Sequence, residues 1–241
     1  MTPITYQERR GQIETYFDRT AVQAWARLTS DAPVGRIRAT VRAGRDRMRH
    51  TLLSWLPADL SGLRVLDAGC GTGALAVAAA QRGAHVMAID LSPTLVDLAR
   101  ERLPQDLKTG QGTDPSAGRV EFLSGDMLDP ALGTFDYVVG MDSLIHYHAA
   151  DAVRVLSSLA GRTRRAVLFT YAPSNPLLVT MRAVGTLFPR GDRAPWIVPV
   201  ARRKLDRLFA QDPQLQNWSA GRTLRIKSGF YTSQALEMVR S

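Results

Sequence analysis

The sequence predicts an α/β fold: a doubly wound, seven-stranded sheet preceded by a helical arm and carrying a lid-like insertion after its fifth strand. Three observations predict it. From Leu63 onward strand-like and helix-like segments alternate, which implies right-handed crossovers with ligands at the carboxyl ends of the strands. The run Arg64-Val-Leu-Asp-Ala-Gly-Cys-Gly-Thr-Gly73 takes a buried type of strand into a glycine turn and then into an alanine-rich helix, Ala74 to Arg82. After Tyr171 the alternation breaks into Pro173, Pro176, Pro189, Pro195 and Pro199, interleaved with apolar residues.

In order, the first 60 residues read as helical. Val34, Ile37, Val41, Met48, Leu52 and Trp55 fall near one helical face, while Arg36, Arg38, Arg42, Arg45, Arg47 and Arg49 crowd the rest. Pro57 and Gly62 close this segment, so 1–60 is expected as a helical arm or cap and 61–241 as the main domain. Strands follow at Arg64 to Asp67, His85 to Asp90, Val120 to Leu123, Phe135 to Met141 and Arg165 to Tyr171, with helices at 73–82, 93–103 and 149–161. Residues 110–118 read as a polar surface loop. The insertion over about 173–215 includes a short helix near 201–210, and two β-like runs, Arg222 to Lys227 and Phe230 to Met238, complete the seven strands.

Composition bounds the partners. The chain has 241 residues, 45% hydrophobic and 22% charged, enough for one α/β domain and an appendage. The opening MTPITYQERR lacks the apolar stretch of a secretory signal, and no run approaches the ~18 apolar residues that span a bilayer, so a cytoplasmic protein is expected. Cys70 alone allows neither an intrachain disulfide nor a multi-cysteine zinc site, and no metal ligand set is evident. The formal charge is +9 with only Lys108, Lys204 and Lys227 as lysines, so the excess is arginine. It suits nucleic acid, an anionic membrane surface or a carboxylate-bearing substrate, or it is a solvated face; charge alone does not choose.

The glycine turn by itself also fits a dinucleotide fingerprint. Asp67 separates the two readings. Two residues before the first glycine, its carboxylate opposes a pyrophosphate but favours an ammonium. Asp90, ending the second strand, is placed for two ribose hydroxyls, and Asp126 in Ser124-Gly-Asp-Met127 for an adenine amino group. LDAGCGTG, AID and GDM together resemble the class I S-adenosylmethionine-dependent methyltransferases over about 63–172. That resemblance assigns to the cofactor Asp67, Ala68, Gly69, Gly71, Asp90, Leu91, Asp126, Met127 and Met141, and leaves S-adenosyl-L-homocysteine as product. Cys70 fills a small-residue position and reads as packing.

The flanks carry the substrate. Tyr16-Phe-Asp, the stretch Ala24-Trp-Ala-Arg-Leu-Thr-Ser-Asp-Ala-Pro-Val, Val41-Arg-Ala-Gly-Arg, Asp142-Ser-Leu-Ile-His146-Tyr and Ser228-Gly-Phe-Tyr-Thr-Ser-Gln-Ala-Leu-Glu237 closely resemble the magnesium-protoporphyrin IX O-methyltransferases over nearly the whole chain. The resemblance implies methyl transfer to one propionate of the magnesium porphyrin, an early step toward chlorophyll or bacteriochlorophyll, with magnesium arriving inside the substrate. It also implies handover from magnesium chelatase, and an apolar substrate favours weak peripheral membrane association. A propionate is ionised at neutral pH, so orientation matters more than a strong base. His146 and Tyr16 are the expected orienting residues, Phe188 and Trp196 the stacking candidates, and Arg42 and Arg45 the candidates for the unreacted propionate or the cofactor's carboxylate. Other methyl acceptors, RNA among them, and a non-catalytic cofactor-binding docking protein are the rival readings. Against RNA, the Met141-Asp-Ser-Leu144 tail lacks the Asn/Asp-Pro-Pro-Tyr/Phe sequence of base-amino methylation.

Overall fold

The computed structural model describes residues 6–16, 18, 29, 35–108, 118–174 and 197–241. Helix α1 (Tyr6–Thr15) and helix α2 (Arg36–Trp55) precede the sheet. The alternating body then runs β1 (Arg64–Ala68), α3 (Ala74–Ala80), β2 (His85–Asp90), α4 (Pro93–Glu101), α5 (Gln105–Lys108), β3 (Arg119–Ser124), β4 (Phe135–Gly140), α6 (Ala149–Gly161) and β5 (Thr163–Tyr171). Helix α7 (Arg202–Gln211) and the hairpin β6 (Trp218–Ser228) and β7 (Tyr231–Arg240) follow.

The seven strands lie in the order β3-β2-β1-β4-β5-β7-β6. The first five are parallel and β7 is antiparallel to both its neighbours. The central strands bury both faces, as crossover helices on both sides require. Adjacent residues therefore point into different cores: Val65, Val139 and Leu168 pack with α2, α3 and α4, while Leu66, Val138 and Val167 pack with α6 and Leu205 of α7. Parallel pairing sets Asp67 opposite Ala88 and Asp90 opposite Ser124, so the acidic strand ends share one edge. Because β7 runs the other way, Gln234 pairs with Tyr171, and the start of β7 reaches that same edge.

Helix α2, within the segment expected as an arm or cap, packs onto the sheet. Met48 and Leu52 are fully buried and belong to the core cluster that includes β1 and β2. Ile37, expected on the apolar face, is 61% exposed in the first turn of α2, and Val41 is half-buried on a cavity wall. Gly44 is buried where α2 crosses β7. A Cβ there would stand 2.5 Å from Cδ1 of Tyr231, so Gly44→Ala must displace that ring. The expected result is a loss of about 1–3 kcal/mol, read by urea denaturation.

Residues 175–196 of the insertion, with Phe188 and Trp196, lie outside the described residues. Its two ends are fastened together: Val200 N–H donates to Ala172 O, Ser174 N–H to Val200 O, and Val198 N–H to Ile145 O. The far part of the expected 173–215 insertion packs into the body, with Leu205 of α7 buried against α6.

Candidate active site

The glycine turn is built by backbone geometry that side chains resist. Gly69, Gly71 and Gly73 all have positive φ, at 87°, 53° and 78°. A Cβ at Gly73 would meet the Phe122 ring at 2.6 Å and one at Gly69 would stand 2.4 Å from Cβ of Ser143, so a side chain fits at neither position. The N–H groups of Gly69 and Cys70 both donate to Ile89 O, which ties the turn to β2.

In front of the turn lies a cavity of about 660 Å³. Its wall takes in Asp67, Gly69, Gly71, Asp90, Leu91, Met127 and Met141 of the residues expected to hold the cofactor. Ala68 is buried in β1 behind the turn and does not face the cavity. Asp126 does not line it either: its Oδ2 accepts from Arg10 Nη1 at 2.8 Å and its Oδ1 from Leu128 N–H at 2.9 Å. Asp90 accepts from Gly71 N–H at 2.8 Å and from Ser92 N–H at 3.0 Å, and burial pushes its carboxyl up.

Asp67 is the anomaly. It is 2% exposed, and its Oδ2 has no hydrogen-bond partner among the described residues. Burial, then the nearby charge of Asp90, pushes its carboxyl up to about 7. An orphaned buried carboxylate oxygen on a cavity wall calls for a cationic donor from a ligand. Ser143 Oγ, on the same wall, is likewise buried without a partner among the described residues. A ligand with an ammonium group and hydroxyls fits this set, as S-adenosyl-L-methionine does.

Tyr16 and His146 both line the same cavity. His146 is 7% exposed, held just beyond β4 where Ile145 O is bonded to the insertion's return. Partial burial raises the Tyr16 hydroxyl above its usual range. Arg42 and Arg45 line it too, with Arg38 and Arg49 of the same helix.

One group escaped the sequence reading as a site residue. Asp142, next after Met141, has φ +56° and a side chain 5% exposed. Its Oδ2 accepts from Arg45 Nη1 at 2.6 Å, and its Oδ1 from Thr170 Oγ1 at 3.0 Å and Ser233 Oγ at 3.1 Å. Tyr231 Oη approaches both oxygens at 3.2 Å. Burial, and then the Asp142 charge, drives the Tyr231 hydroxyl far above its usual range. A left-handed non-glycine residue at a strand end is the local signal that marks this position, and it is visible only in the structure.

Among the described residues no helix is long and apolar enough to cross a membrane, and no group of three or more His, Cys, Asp or Glu is placed to hold a metal ion.

Comparison with known proteins supplies names for these features. Residues 140–240 match the family model described as magnesium-protoporphyrin IX methyltransferase C-terminus, and residues 65–165 match a methyltransferase domain. A magnesium-protoporphyrin O-methyltransferase of Rhodobacter capsulatus is 50% identical over 98% of each chain. One from Synechocystis is 30% identical over 95% of each. The crystal structure of magnesium protoporphyrin IX methyltransferase from Synechocystis PCC 6803 with bound SAH superposes with a TM-score of 0.81 at 28% identity, covering 96% of this chain and all of that one.

Proposed function

The chain belongs to the magnesium-protoporphyrin IX O-methyltransferase family, and from that membership we propose how its cavity carries the reaction. It is an S-adenosyl-L-methionine-dependent methyltransferase that esterifies a propionate carboxylate of magnesium protoporphyrin IX on the way to chlorophyll or bacteriochlorophyll. S-adenosyl-L-methionine supplies an electrophilic methyl on sulfur; a propionate oxygen takes that carbon as the carbon–sulfur bond breaks, leaving a methyl ester and neutral S-adenosyl-L-homocysteine. One observation carries the reading: the glycine turn with its orphaned Asp67 and the pair Tyr16 and His146 line a single cavity.

Each residue then has a task. Asp67 receives the ammonium, Asp90 the ribose hydroxyls, and Leu91, Met127 and Met141 the apolar faces of the cofactor. Tyr16 and His146 donate to the propionate and hold it in line. Neutral donors suit this step because the carboxylate charge vanishes as the bond forms, and a cation on the reacting oxygen would stabilise the reactant. Arg38 and Arg42 on the rim suit the second propionate. Incubation of the purified protein with S-adenosyl-L-methionine and magnesium protoporphyrin, followed by mass analysis, should give one added methylene; an unmodified porphyrin beside tight S-adenosyl-L-homocysteine binding would sink the reading.

Handover from magnesium chelatase and peripheral contact with a membrane complete the proposal. Phe230, 63% exposed, and Ile197 line the cavity and stand open to solvent at its rim, and Ile37 is exposed on the neighbouring helix. Such an apolar rim beside arginines suits an anionic lipid surface that carries the porphyrin. Phe230→Ser with Ile37→Ser is expected to cut co-sedimentation with phosphatidylglycerol vesicles several-fold while leaving S-adenosyl-L-homocysteine binding unchanged.

A further inference from the structure

Arg45 and Asp142 are the two opposite charges set most closely together on the cavity wall, 2.6 Å apart, and both are largely buried, at 18% and 5% side-chain exposure. The carboxylate is over-determined. Three elements supply its partners: Arg45 from α2, Thr170 from β5, and Tyr231 and Ser233 from β7, while Thr170 Oγ1 also accepts from Asp142 N–H at 2.7 Å. The residue itself sits in the left-handed region at φ +56°, a conformation retained only where surroundings enforce it. Four residues later the same segment presents His146.

A guanidinium in this cavity is a hazard as well as an asset. Its fork matches any carboxylate, and the reacting propionate is one. Forked onto that oxygen it would bind the substrate well and slow the transfer, because the interaction weakens as the oxygen loses charge. An uncovered Asp142 would be harmful in the other direction, repelling both propionates and the cofactor's own carboxylate. Paired, the two present a neutral wall.

We infer that Asp142 is a positioning residue that holds Arg45 as a neutral pair, keeping an unpaired guanidinium off the reacting carboxylate. This rests on the methyl-transfer reading above. It revises the expectation that Arg45 grips the second propionate, leaving that task to Arg38 and Arg42.

The test is a double-mutant cycle on the purified enzyme with S-adenosyl-L-methionine and magnesium protoporphyrin. Asn tolerates the left-handed backbone and still accepts from Thr170 and Ser233, so Asp142→Asn removes chiefly the charge. Its kcat is expected to fall about tenfold to a hundredfold, the strength of a charge-assisted hydrogen bond, with a KM for the porphyrin that does not rise. Arg45→Met alone is expected to raise that KM severalfold. The double variant R45M/D142N should recover much of both losses, since the two opposite charges are removed together.

Losses that multiply in the double variant, or a D142N variant whose KM rises while kcat holds, would overturn the inference and assign the pair a purely structural role. Calorimetric S-adenosyl-L-homocysteine binding should stay within about threefold in R45M/D142N, which like the native pair presents no net charge to the cofactor's carboxylate; a larger change there also counts against it. Should D142N not fold, Asp142→Gly keeps the backbone conformation and poses the same question. Failure of the methyl-transfer reading itself is distinct, because the wild-type protein would then leave the porphyrin unmethylated.

Discussion

Asp67→Asn is expected to weaken S-adenosyl-L-homocysteine binding by about a hundredfold or more, and at pH 8 to raise the thermal stability of the ligand-free protein. The two effects share one cause. The Asp67 carboxyl lies in the core at 2% exposure, and burial with the Asp90 charge moves it from its ordinary value of 3.8 up to about 7. The native state therefore holds more protons than the unfolded chain between about pH 4 and 7. Stability contributed by this group is present below the unfolded value and is lost as pH rises through the folded one. Above pH 7 the ligand-free protein carries a buried charge whose Oδ2 has no hydrogen-bond partner among the described residues. An amide removes that charge and should gain about 1–3 kcal/mol at pH 8, though little at pH 5.

The ligand reverses the sign. An ammonium beside Asp67 favours the ionised form, so wild-type affinity should tighten as pH rises from 5.5 toward 8 and then level, while that of D67N stays flat over the same range. Differential scanning calorimetry of both proteins, with and without S-adenosyl-L-homocysteine at pH 5.5 and 8, checks all four corners. A wild-type affinity independent of pH across that window would show that Asp67 does not meet a cation.

Much of this region is legible in one dimension because its signals are local. The turn needs glycines within a few residues of Asp67, the strand before it is continuously apolar, and Ser92 with Pro93 opens α4, with Leu95 N–H bonded back to Ser92 Oγ. The edge hairpin is less legible. Strand β6 runs from Trp218, four residues before its expected start, because it is exposed over most of its length and a register shift between Ala220 and Thr223 interrupts the pattern.

The Asp142 cluster is the least legible feature. Its partners Arg45, Thr170, Tyr231 and Ser233 lie 97, 28, 89 and 91 residues away in the chain, and no local periodicity announces such contacts. Likewise the arginines of α2 look alike in sequence, yet Arg45 is paired inside the cavity while Arg47 does not line it. The crossing of α2 over β7 at Gly44, a long-range packing event, decides which arginines turn inward.

His146→Ala is expected to lower kcat by about tenfold to a hundredfold at saturating S-adenosyl-L-methionine, and His146→Gln by much less. The argument turns on the nucleophile. A propionic acid is ionised near pH 4–5, so at neutral pH its oxygen needs direction more than deprotonation. His146, 7% exposed at the end of the segment from Asp142, lines the cavity, and a glutamine keeps a hydrogen-bond donor there. If the H146Q variant were as slow as H146A, proton removal rather than orientation would be the task of His146.

Tyr16 supplies the complementary control. Burial holds its hydroxyl above the usual range, so it remains a neutral donor throughout the working pH and kcat should show no descending limb below about pH 9. Tyr16→Phe removes only that donor and should cost about tenfold in kcat with little change in porphyrin KM, since the ring still covers the cavity. A combined loss in H146Q/Y16F much smaller than the product of the single losses would mean that both groups hold the same propionate oxygen. Losses that multiply would place them on different oxygens of one carboxylate, which is the arrangement that fixes its plane as well as its distance.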